Sequence, residues 1–441
     1  MDAKREVAAQ IARRLREAGF QAYFVGGCVR DLVMGREPAD YDLATDATPQ
    51  QVVGLFPESL TVGAQFGVVL VPRADGNVEV ATFRSDGRYA DGRHPAEVRY
   101  AKTAREDVRR RDFTINGLLL DPGTDEVLDH VGGQADIRAR RVRTIGDPFE
   151  RFSEDRLRML RAVRFAARFD FTLDPATLEA IKKLAPAIAD VSAERVRDEI
   201  LKILTEGRAR RGFELLDRCD LLKEVLPEIK ALQGVAQPPE FHPEGDVWTH
   251  TLMMLEGLGA GVSATLALGV LLHDVGKPPT FTVRERIRFD NHVEVGARMA
   301  EEICRRLRLP TKDTERVFEL VNNHLRFKDF PKMRRSTELR FIRMPGFEEH
   351  LELHRLDCLS SHGKLDNYEL ARKMLAETPP EEVKPAPLVT GHDLIRAGYK
   401  PGPRFKQILR AVEDAQLEGK LHSRDEAMSM VAKQFPAGAT S

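Results

Sequence analysis

The sequence predicts an α+β protein in which a small sheet-containing region precedes a long all-α region. Short apolar runs bounded by glycine, proline or aspartate, which are typical of strands, are confined to the first 145 of the 441 residues. From Asp147 onward, apolar residues recur at helical spacing instead. Charged residues make up 31% of the chain and aromatic residues only 7%, which favours charged helices over a β-sandwich.

The first region combines a leading helix with several short strands. Val7, Ile11 and Leu15 form one apolar stripe near the amino terminus, which predicts an amphipathic helix. We expect the strands to form one small mixed or antiparallel sheet with helices packed beside it. The predicted strands are Ala22–Val25, Leu60–Val62, Gly67–Val71 and Val78–Phe83.

The second region consists of helical segments separated by two proline-rich breaks. Apolar residues three apart, such as Leu157, Leu160 and Val163, predict a helix, and similar spacing recurs further along the chain. Gln233–Gly245 holds three prolines and two glycines, and Thr378–Pro387 is also rich in proline. We expect linkers at both positions.

Composition excludes several classes of protein. The formal charge is −1, from 68 basic and 69 acidic residues, which excludes a uniformly basic nucleic-acid coat but allows a local basic face. The four cysteines form no CxxC pair and indicate reduced thiols rather than a disulfide framework or a zinc knuckle. Because no apolar run approaches 18 residues and the amino terminus lacks a signal-peptide core, we expect a cytoplasmic protein without a membrane span.

A glycine pair followed by two carboxylates is the first candidate site. Gly26-Gly27 ends the first predicted strand, and glycines let a phosphate approach the backbone at a helix start. Arg30 could add a bidentate phosphate contact. Asp40 and Asp42 lie on one face of an extended segment, where they can bind Mg²⁺ that activates a hydroxyl and stabilises a leaving pyrophosphate. Either pattern alone is more often a turn or a solvated edge.

An acidic and basic pair predicts base selection. Asp155 and Arg158 are spaced i,i+3, so we expect both on one helix face. A carboxylate that accepts from an exocyclic amine and an arginine that donates to a ring nitrogen suit cytosine and adenine, whereas guanine and uracil invert this pattern. The alternative is a surface ion pair. Arg161 and Arg164 continue the stripe, and residues 138–168 hold ten arginines against four acidic residues, which provides a local basic face.

Five motifs in this order resemble class II tRNA nucleotidyltransferases and bacterial poly(A) polymerases. They are Phe24–Asp31 with Asp40-x-Asp42, Arg110–Asn116, Gly146–Phe152, Glu154–Arg158 and Glu194–Glu199. The resemblance implies that Asp40 and Asp42 are the catalytic, Mg²⁺-binding residues. It also implies a set of nucleotide-binding residues, namely Gly26, Gly27, Arg30, Arg111, Asp112, Glu154, Asp155, Arg158, Arg161 and Arg164.

Other residues of the first region have roles that the resemblance leaves less defined. Arg111 is a candidate phosphate donor, and Asp112 is a candidate acceptor for a ribose hydroxyl or a simple N-cap of the following helix. Arg84–His94 resembles the flexible loop that switches the pocket of the family from CTP to ATP, which favours full CCA addition over a stop after CC. Glu79 is a candidate third acid near the metal.

Histidines in the second region have metal-ligand spacing. An apolar helix runs directly into His273-Asp274-Val275-Gly276-Lys277, which resembles the HD metal-dependent phosphohydrolase domain. By that resemblance, the metal ligands are His250, His273, Asp274, His292, His324 and Asp357. Imidazole favours Mn, Ni, Co, Fe or Zn over Mg. A metal there would activate water against a 2′,3′-cyclic phosphate or a phosphomonoester.

The resemblance implies four segments: a nucleotidyltransferase head (1–145), a helical neck and body (146–240), an HD domain (241–365) and a helical tail (366–441). We expect a tRNA nucleotidyltransferase that adds CCA from CTP and ATP, with tRNA as its partner, no membrane and no DNA. Rivals are a poly(A) polymerase, an enzyme that adds only CC or only A, and an HD phosphohydrolase whose head merely binds RNA. An inert RNA-binding module would lack Asp40 and Asp42.

Overall fold

The computed structural model describes residues 3–61, 67–73, 76–86, 98–240 and 242–436. The chain forms two compact units. The first contains Met1–Lys230, Leu258–Ala264 and Arg305–Leu309, and the second contains Ala231–Gly257, Thr265–Cys304 and Pro310–Ser441. The predicted fold class is confirmed, because a small mixed sheet near the amino terminus is followed by helices.

The amino-terminal part of the first unit contains most of the strands. Its helices and strands are α1 (Ala3–Glu17), β1 (Ala22–Val25), α2 (Gly27–Val33), β2 (Leu43–Thr45), α3 (Pro49–Leu55), β3 (Val68–Arg73), β4 (Gly76–Thr82), β5 (Arg84–Asp86), β6 (Val98–Tyr100), α4 (Ala104–Arg109), β7 (Leu118–Leu120), β8 (Val127–Asp129), α5 (Gly133–Arg138) and β9 (Arg141–Val142). A 3-10 helix, Thr114–Asn116, lies between α4 and β7.

Six of these strands form the mixed sheet. Their order is β3-β4-β2-β1-β7-β8, with β2 parallel to β4 and every other neighbouring pair antiparallel. Phe24 and Leu43 are fully buried in its core, and Ile11 and Leu15 of the predicted α1 stripe are buried as well. The sheet places the end of β1 and the start of β2 beside the middle of β4, which is where the polar site lies.

The strand predictions succeeded for the longer strands and failed for the shorter ones. Ala22–Val25 is confirmed as β1, while β3 and β4 overlap the predicted Gly67–Val71 and Val78–Phe83. The predicted strand Leu60–Val62 is wrong in its described part, because Leu60 makes only a single bridge with Leu70; Val62 lies outside the described residues. β2, β7 and β8 were missed, since three residues are too few to show alternation.

The rest of the first unit is mainly helical. Its elements are α6 (Pro148–Glu154), α7 (Arg158–Phe169), β10 (Thr172–Leu173), α8 (Pro175–Leu184), α9 (Ala193–Thr205), α10 (Ala209–Arg218), α11 (Leu222–Val225) and α12 (Pro227–Lys230). The central helix α7 buries Leu160, Val163 and Phe165 and packs against α9 and α10. The apolar spacing that predicted α7 therefore marks its buried face.

The remaining elements are helical except for one hairpin. They are α13 (Val247–Glu256), α14 (Ala264–Leu272), α15 (Lys277–Thr280), β11 (Phe281–Val283), β12 (Ile287–Phe289), α16 (His292–Arg306), α17 (Thr311–Asn323), α18 (Arg335–Ile342), α19 (Phe347–Ser360), α20 (Asp366–Glu377), α21 (Pro380–Val383), α22 (Gly391–Arg396), α23 (Pro403–Leu417) and α24 (Arg424–Gln434). Among the described residues, no helix combines the length and apolarity needed to cross a bilayer.

Candidate active site and metal centre

A polar cavity of about 500 Å³ lies in the first unit, between the end of β1, the start of β2, the middle of β4 and the start of α7. It brings together most of the predicted residues of that region, although Asp40, Glu154 and Arg164 are not among its lining residues. The lining residues are Val25, Gly26, Gly27, Arg30, Asp42, Leu43, Glu79, Ala81, Arg110, Arg111, Asp112, Asn116, Asp155, Arg158, Arg161 and Phe165.

Gly26 forms the turn between β1 and α2. Its φ of +76° is a conformation that other residues rarely adopt, and a Cβ at this position would lie 3.4 Å from Nη1 of Arg111. The N–H of Val25, one residue earlier, donates to the carbonyl oxygen of Asp42 at 3.1 Å. Glycine therefore keeps backbone, arginine and carboxylate close together at the cavity wall.

Three carboxylates approach one another beside this turn. In the parallel register Leu43 pairs with Val80, so the residues immediately before them, Asp42 and Glu79, are neighbours. Burial, together with the negative charges of Glu79 and Asp40, raises the pKa of Asp42 to about 7. A cluster of hard oxygen donors whose charge is not neutralised fits a divalent cation such as Mg²⁺.

Arg30 is directed at protein acceptors. Its guanidinium donates to Asp31 through Nε at 2.9 Å and to the Asn116 side-chain oxygen through Nη1 at 2.7 Å. It also lies over the Phe169 ring, 4.5 Å from the centroid. A bidentate contact from this buried side chain to a phosphate, which the sequence suggested, would require these partners to be exchanged.

Asp107 is a residue that sequence reasoning missed. Its buried carboxylate accepts from Nε of Arg110 at 2.9 Å and from Nη2 of Arg111 at 3.0 Å. Burial alone would raise the pKa of Asp107, but the two guanidinium groups hold it below its usual value. Asp107 thereby orients both arginines at the cavity. In the sequence, the spacing of Asp107 from Arg110 (i,i+3) and from Arg111 (i,i+4) could have indicated this role.

Asp112 is paired within the cavity rather than acting as a helix cap. Its Oδ2 accepts from Nε and Nη2 of Arg161 at 2.9 and 2.7 Å, and its Oδ1 accepts from Asn116 at 3.1 Å. The N-cap of the following 3-10 helix is Phe113, so the alternative prediction of an Asp112 N-cap is wrong. Arg161 joins α7 to the Arg110–Asn116 segment.

The expectation that Asp155 and Arg158 share a helix face is wrong. Asp155 has extended dihedral angles at the end of α6, and α7 begins only at Arg158. Both residues nevertheless line the cavity. Asp155 accepts from Arg195 at 2.8 Å, and Arg158 donates to Glu154 at 2.6 Å. The two residues reach the cavity because the helix is interrupted between α6 and α7, and not because they share a helix face.

Arg164 holds helices together. Its Nε donates to the buried Glu199 of α9 at 2.7 Å, and its Nη1 donates to Glu206 at 3.2 Å. Arg164 lies on α7 with Arg161, which is 3.9 Å from Glu199. This buried network fixes α7 against α9. Arg164 therefore acts behind the cavity rather than on its surface.

The six predicted metal ligands of the second unit form two adjoining groups. The first is His250, His273 and Asp357, and the second is Asp274, His292 and His324; within each group the donor atoms lie within 4.8 Å of one another. They come from α13, the end of α14, the start of α16, the end of α17, and α19. The helical fold thus collects residues that are more than 100 positions apart in sequence.

The hydrogen bonds of the imidazoles suit metal binding. Nδ1 of His273, His292 and His324 faces the backbone carbonyls of Val270, Phe289 and Val321 at 2.7–2.8 Å. A carbonyl can only accept, so Nδ1 carries the proton and Nε2 carries a lone pair. The Nε2 atoms of these three histidines and of His250 are buried, and within the described residues they lack a hydrogen-bond partner.

Lone pairs and carboxylates face each other in this cluster. Nε2 of His250 lies 3.1 Å from Oδ1 of Asp357, and Nε2 of His273 lies 3.1 Å from Oδ2 of Asp274. Two acceptors at this distance repel unless a proton or a metal ion lies between them. The donor set of imidazoles and carboxylates fits a transition metal, so the residues present match the predicted group.

Gly276 and Glu244 support the cluster and were not predicted. A Cβ on Gly276 would lie 2.1 Å from the backbone oxygen of His292, so only glycine allows α16 to approach Asp274 so closely. Glu244 accepts from Nδ1 of His250 at 2.8 Å and of His242 at 2.9 Å. The neighbouring cavity, of about 320 Å³, is lined by His242, His324, Asp357 and basic side chains.

Four family models match separate parts of the chain. They are described as Poly A polymerase head domain (22–143), the probable RNA- and SrmB-binding site of polymerase A (170–233), HD domain (246–344) and tRNA nucleotidyltransferase domain 2 (382–432). Together they follow the order expected from the sequence motifs.

Curated relatives and solved structures share one description. The chain is 44% identical to the CCA-adding enzyme of Bacillus pumilus over 215 residues, and it spans about half the length of that relative, 54%. It is 31% identical to the CCA-adding enzyme of Levilactobacillus brevis over 431 residues, which is 96% of each chain. The crystal structure of the Bacillus stearothermophilus CCA-adding enzyme in complex with CTP matches with a TM-score of 0.75 and 28% identity, covering 98% of this chain and 99% of the other.

Proposed function

The chain belongs to the family of CCA-adding enzymes, and from that premise we propose that it builds or repairs the 3′-terminal CCA of tRNA from CTP and ATP without a nucleic-acid template. The observation that carries the proposal is the single cavity in which acidic, phosphate-binding and base-reading groups converge. Its partners are then tRNA, CTP and ATP, and its location is cytoplasmic.

The proposed reaction is an in-line transfer to a tRNA 3′-hydroxyl. Asp40 and Asp42, with Glu79 beside them, would hold Mg²⁺, which supplies activation of the hydroxyl and neutralisation of the leaving pyrophosphate. The backbone at Gly26-Gly27 and the guanidinium of Arg111 bind the triphosphate. The hydroxyl attacks the α-phosphate and pyrophosphate leaves. Positioning and charge neutralisation provide most of the rate, so no covalent intermediate is needed.

Base selection is assigned to Asp155 and Arg158. The carboxylate accepts from the exocyclic amine of cytosine or adenine, and the guanidinium donates to the adjacent ring nitrogen. Arg195 and Glu154 orient this pair through hydrogen bonds of 2.8 and 2.6 Å. Asp112 with Arg161 would contact the ribose side of the nucleotide.

The test uses a tRNA transcript that lacks CCA, incubated with Mg²⁺ and with CTP and ATP singly and together. We expect growth by C, C and A followed by a stop, and loss of all growth in the double variant Asp40→Ala, Asp42→Ala. Glu37→Ala removes an exposed carboxylate from the same segment and should keep full activity. A long ladder of A would identify a poly(A) polymerase, and a halt after CC would identify a partial enzyme. Arg84–His94, the predicted switching loop, lies mostly outside the described residues.

We further propose a metal-dependent phosphohydrolase activity for the second unit. It is supported by four buried Nε2 atoms that converge with two carboxylates, Asp274 and Asp357, beside an open cavity. His250, His273, Asp274, His292, His324 and Asp357 would hold one or two transition-metal ions, which supply a water nucleophile. The ligand chemistry favours Mn, Ni, Co, Fe or Zn.

The second activity is tested by phosphate release from a 2′,3′-cyclic nucleotide and from a phosphomonoester, with each metal added to chelator-treated protein. The double variant His273→Ala, Asp274→Ala should lose release while CCA addition continues. His422→Ala, an exposed histidine far along the chain, is the matched control. Equal release by wild type and double variant would contradict this activity. The boundaries 1–145, 146–240, 241–365 and 366–441 stay the proposed division of the chain.

A further inference from the structure

We propose that a second, arginine-lined cavity in the first unit binds a phosphate group of the RNA backbone. The cavity has a volume of about 380 Å³ and shares no residue with the nucleotide cavity. Arg109, Arg143 and Arg151 line it together with Thr114 and Gly146, and no carboxylate is among its lining residues. Three like charges around one cavity are unfavourable unless an anion is present.

The carboxylates that pair with Arg143 and Arg151 are each shared with a second arginine. Asp136 accepts from Nε of Arg143 at 2.8 Å and also from Arg141 at 2.9 Å. Each carboxylate that meets two guanidinium groups leaves one positive charge in excess. Asp136 therefore does not neutralise the wall of the cavity.

A second carboxylate, Glu154, is likewise shared between two arginines. Glu154 accepts from Nη1 of Arg151 at 2.9 Å and from Nη1 of Arg158 at 2.6 Å. The side chain of Arg109, at the end of α4, is exposed and makes no hydrogen bond or ion pair with any residue that the structure describes. Of the three lining arginines, Arg143 and Arg151 therefore share their carboxylates with other arginines, and Arg109 pairs with none.

A buried donor adds a second observation. Nε of Arg151 is buried and lacks a hydrogen-bond partner in the described part of the chain. It lies beside Gly146, where a Cβ would be 3.8 Å away. A phosphate oxygen could satisfy such a donor with a charge-assisted hydrogen bond, which arginine favours over other basic residues.

The position of the cavity favours an RNA phosphate over a free one. Nη1 of Arg151 donates to the carbonyl oxygen of Arg110 at 3.5 Å, and Arg110 lines the nucleotide cavity. The phosphates of one nucleotide or of pyrophosphate are held together in the nucleotide cavity, whereas an RNA substrate carries further phosphates beyond its reacting end. This inference rests on the proposed function, because it takes RNA to be the substrate.

The test measures the binding of tRNA lacking CCA to the full chain, without nucleotide, as NaCl is varied. Arg109→Ala should weaken binding several-fold and lower the slope of log K against log salt by about 0.7–0.9, the value for one lost phosphate contact. Arg105→Ala removes an exposed charge from the same helix outside the cavity and should have little effect. Inhibition by pyrophosphate is measured in parallel and should not change.

Each outcome decides the assignment. If Arg109→Ala and Arg105→Ala change tRNA binding equally, or if neither changes it, the proposed phosphate site is wrong. A change in pyrophosphate inhibition without a change in RNA binding would overturn RNA as the ligand. If wild type binds no tRNA at all, the proposed function fails instead, so the two failures are distinguishable.

Discussion

Replacing Asp42 by asparagine should stabilise the metal-free protein while abolishing nucleotide transfer. The folded state raises the pKa of this carboxyl from its ordinary value of 3.8 to about 7, because of burial and of the negative charges of Glu79 and Asp40. The folded state therefore binds the Asp42 proton more tightly than the unfolded state does. Between pH 4 and 7 the free energy of unfolding of the wild type falls as the pH rises. Above pH 7 the full free-energy cost of ionising Asp42 in the folded state is present.

The magnitude follows from the size of the pKa change. At about 1.4 kcal/mol per pH unit, a change from 3.8 to about 7 costs up to about 4 kcal/mol at pH 8. At pH 5 only about 1.6 kcal/mol of this cost is present. Both values are upper bounds, since Asp42 is partly exposed to water. The stabilisation by Asp42→Asn should thus grow by 2–3 kcal/mol between pH 5 and pH 8, or about 100-fold in the opening equilibrium.

Hydrogen exchange of the β1 amides, Ala22–Val25, measures this locally. Wild type and Asp42→Asn are compared with a chelator present at pH 5 and pH 8, and the variant should exchange more slowly at pH 8. Glu37→Gln is the control for loss of an exposed charge. An unchanged exchange rate at pH 8, or an equal gain at both pH values, would refute the reasoning.

Three further substitutions test other parts of the structure. Glu199→Gln removes the buried carboxylate that pairs with Arg164 and leaves that guanidinium only the more exposed Glu206, so it should cost about 3 kcal/mol in thermal unfolding; a loss under 1 kcal/mol would contradict the buried network. Asp107→Asn should release Arg111 and raise KM for CTP and ATP about equally, roughly 10-fold, in steady-state assays. Selectivity against GTP and UTP should be retained. An unchanged KM would show that Asp107 is not needed to orient Arg111. His273→Ala should lower the bound transition metal per chain, measured by mass spectrometry, with CCA addition intact, and equal metal content would argue against the centre.

The chemistry of the candidate sites was accessible from sequence because it depends on local spacing. Gly26-Gly27, Asp42 and the Arg110–Asp112 run carry their chemistry within short motifs, and the structure gathers them in one cavity. His273-Asp274 follows an apolar helix that is visible as a run of buried residue types. Residue type, short-range spacing and the order of the motifs along the chain, which carries the family resemblance, together supported these predictions.

Other features depended on contacts between distant residues. The break between α6 and α7 at Asp155 follows no periodic signal, so the predicted shared helix face was wrong. Glu79 meets Asp42 only because β4 pairs in parallel with β2, and Arg30 is directed at Asn116, 86 positions away. Strand pairing and buried hydrogen bonds of this kind are set by the folded chain as a whole.

The sequence by itself determined which residues can bind phosphate, carry a metal or read a base, because these abilities belong to side chains. Only the tertiary structure decided which of them act at a surface and which hold that surface in place. Arg161 and Arg164 are three positions apart on one helix, yet Arg161 lines the cavity while Arg164 is buried against Glu199. The physical reason is that a buried guanidinium needs a partner carboxylate, and the packing of α9 brings one to Arg164.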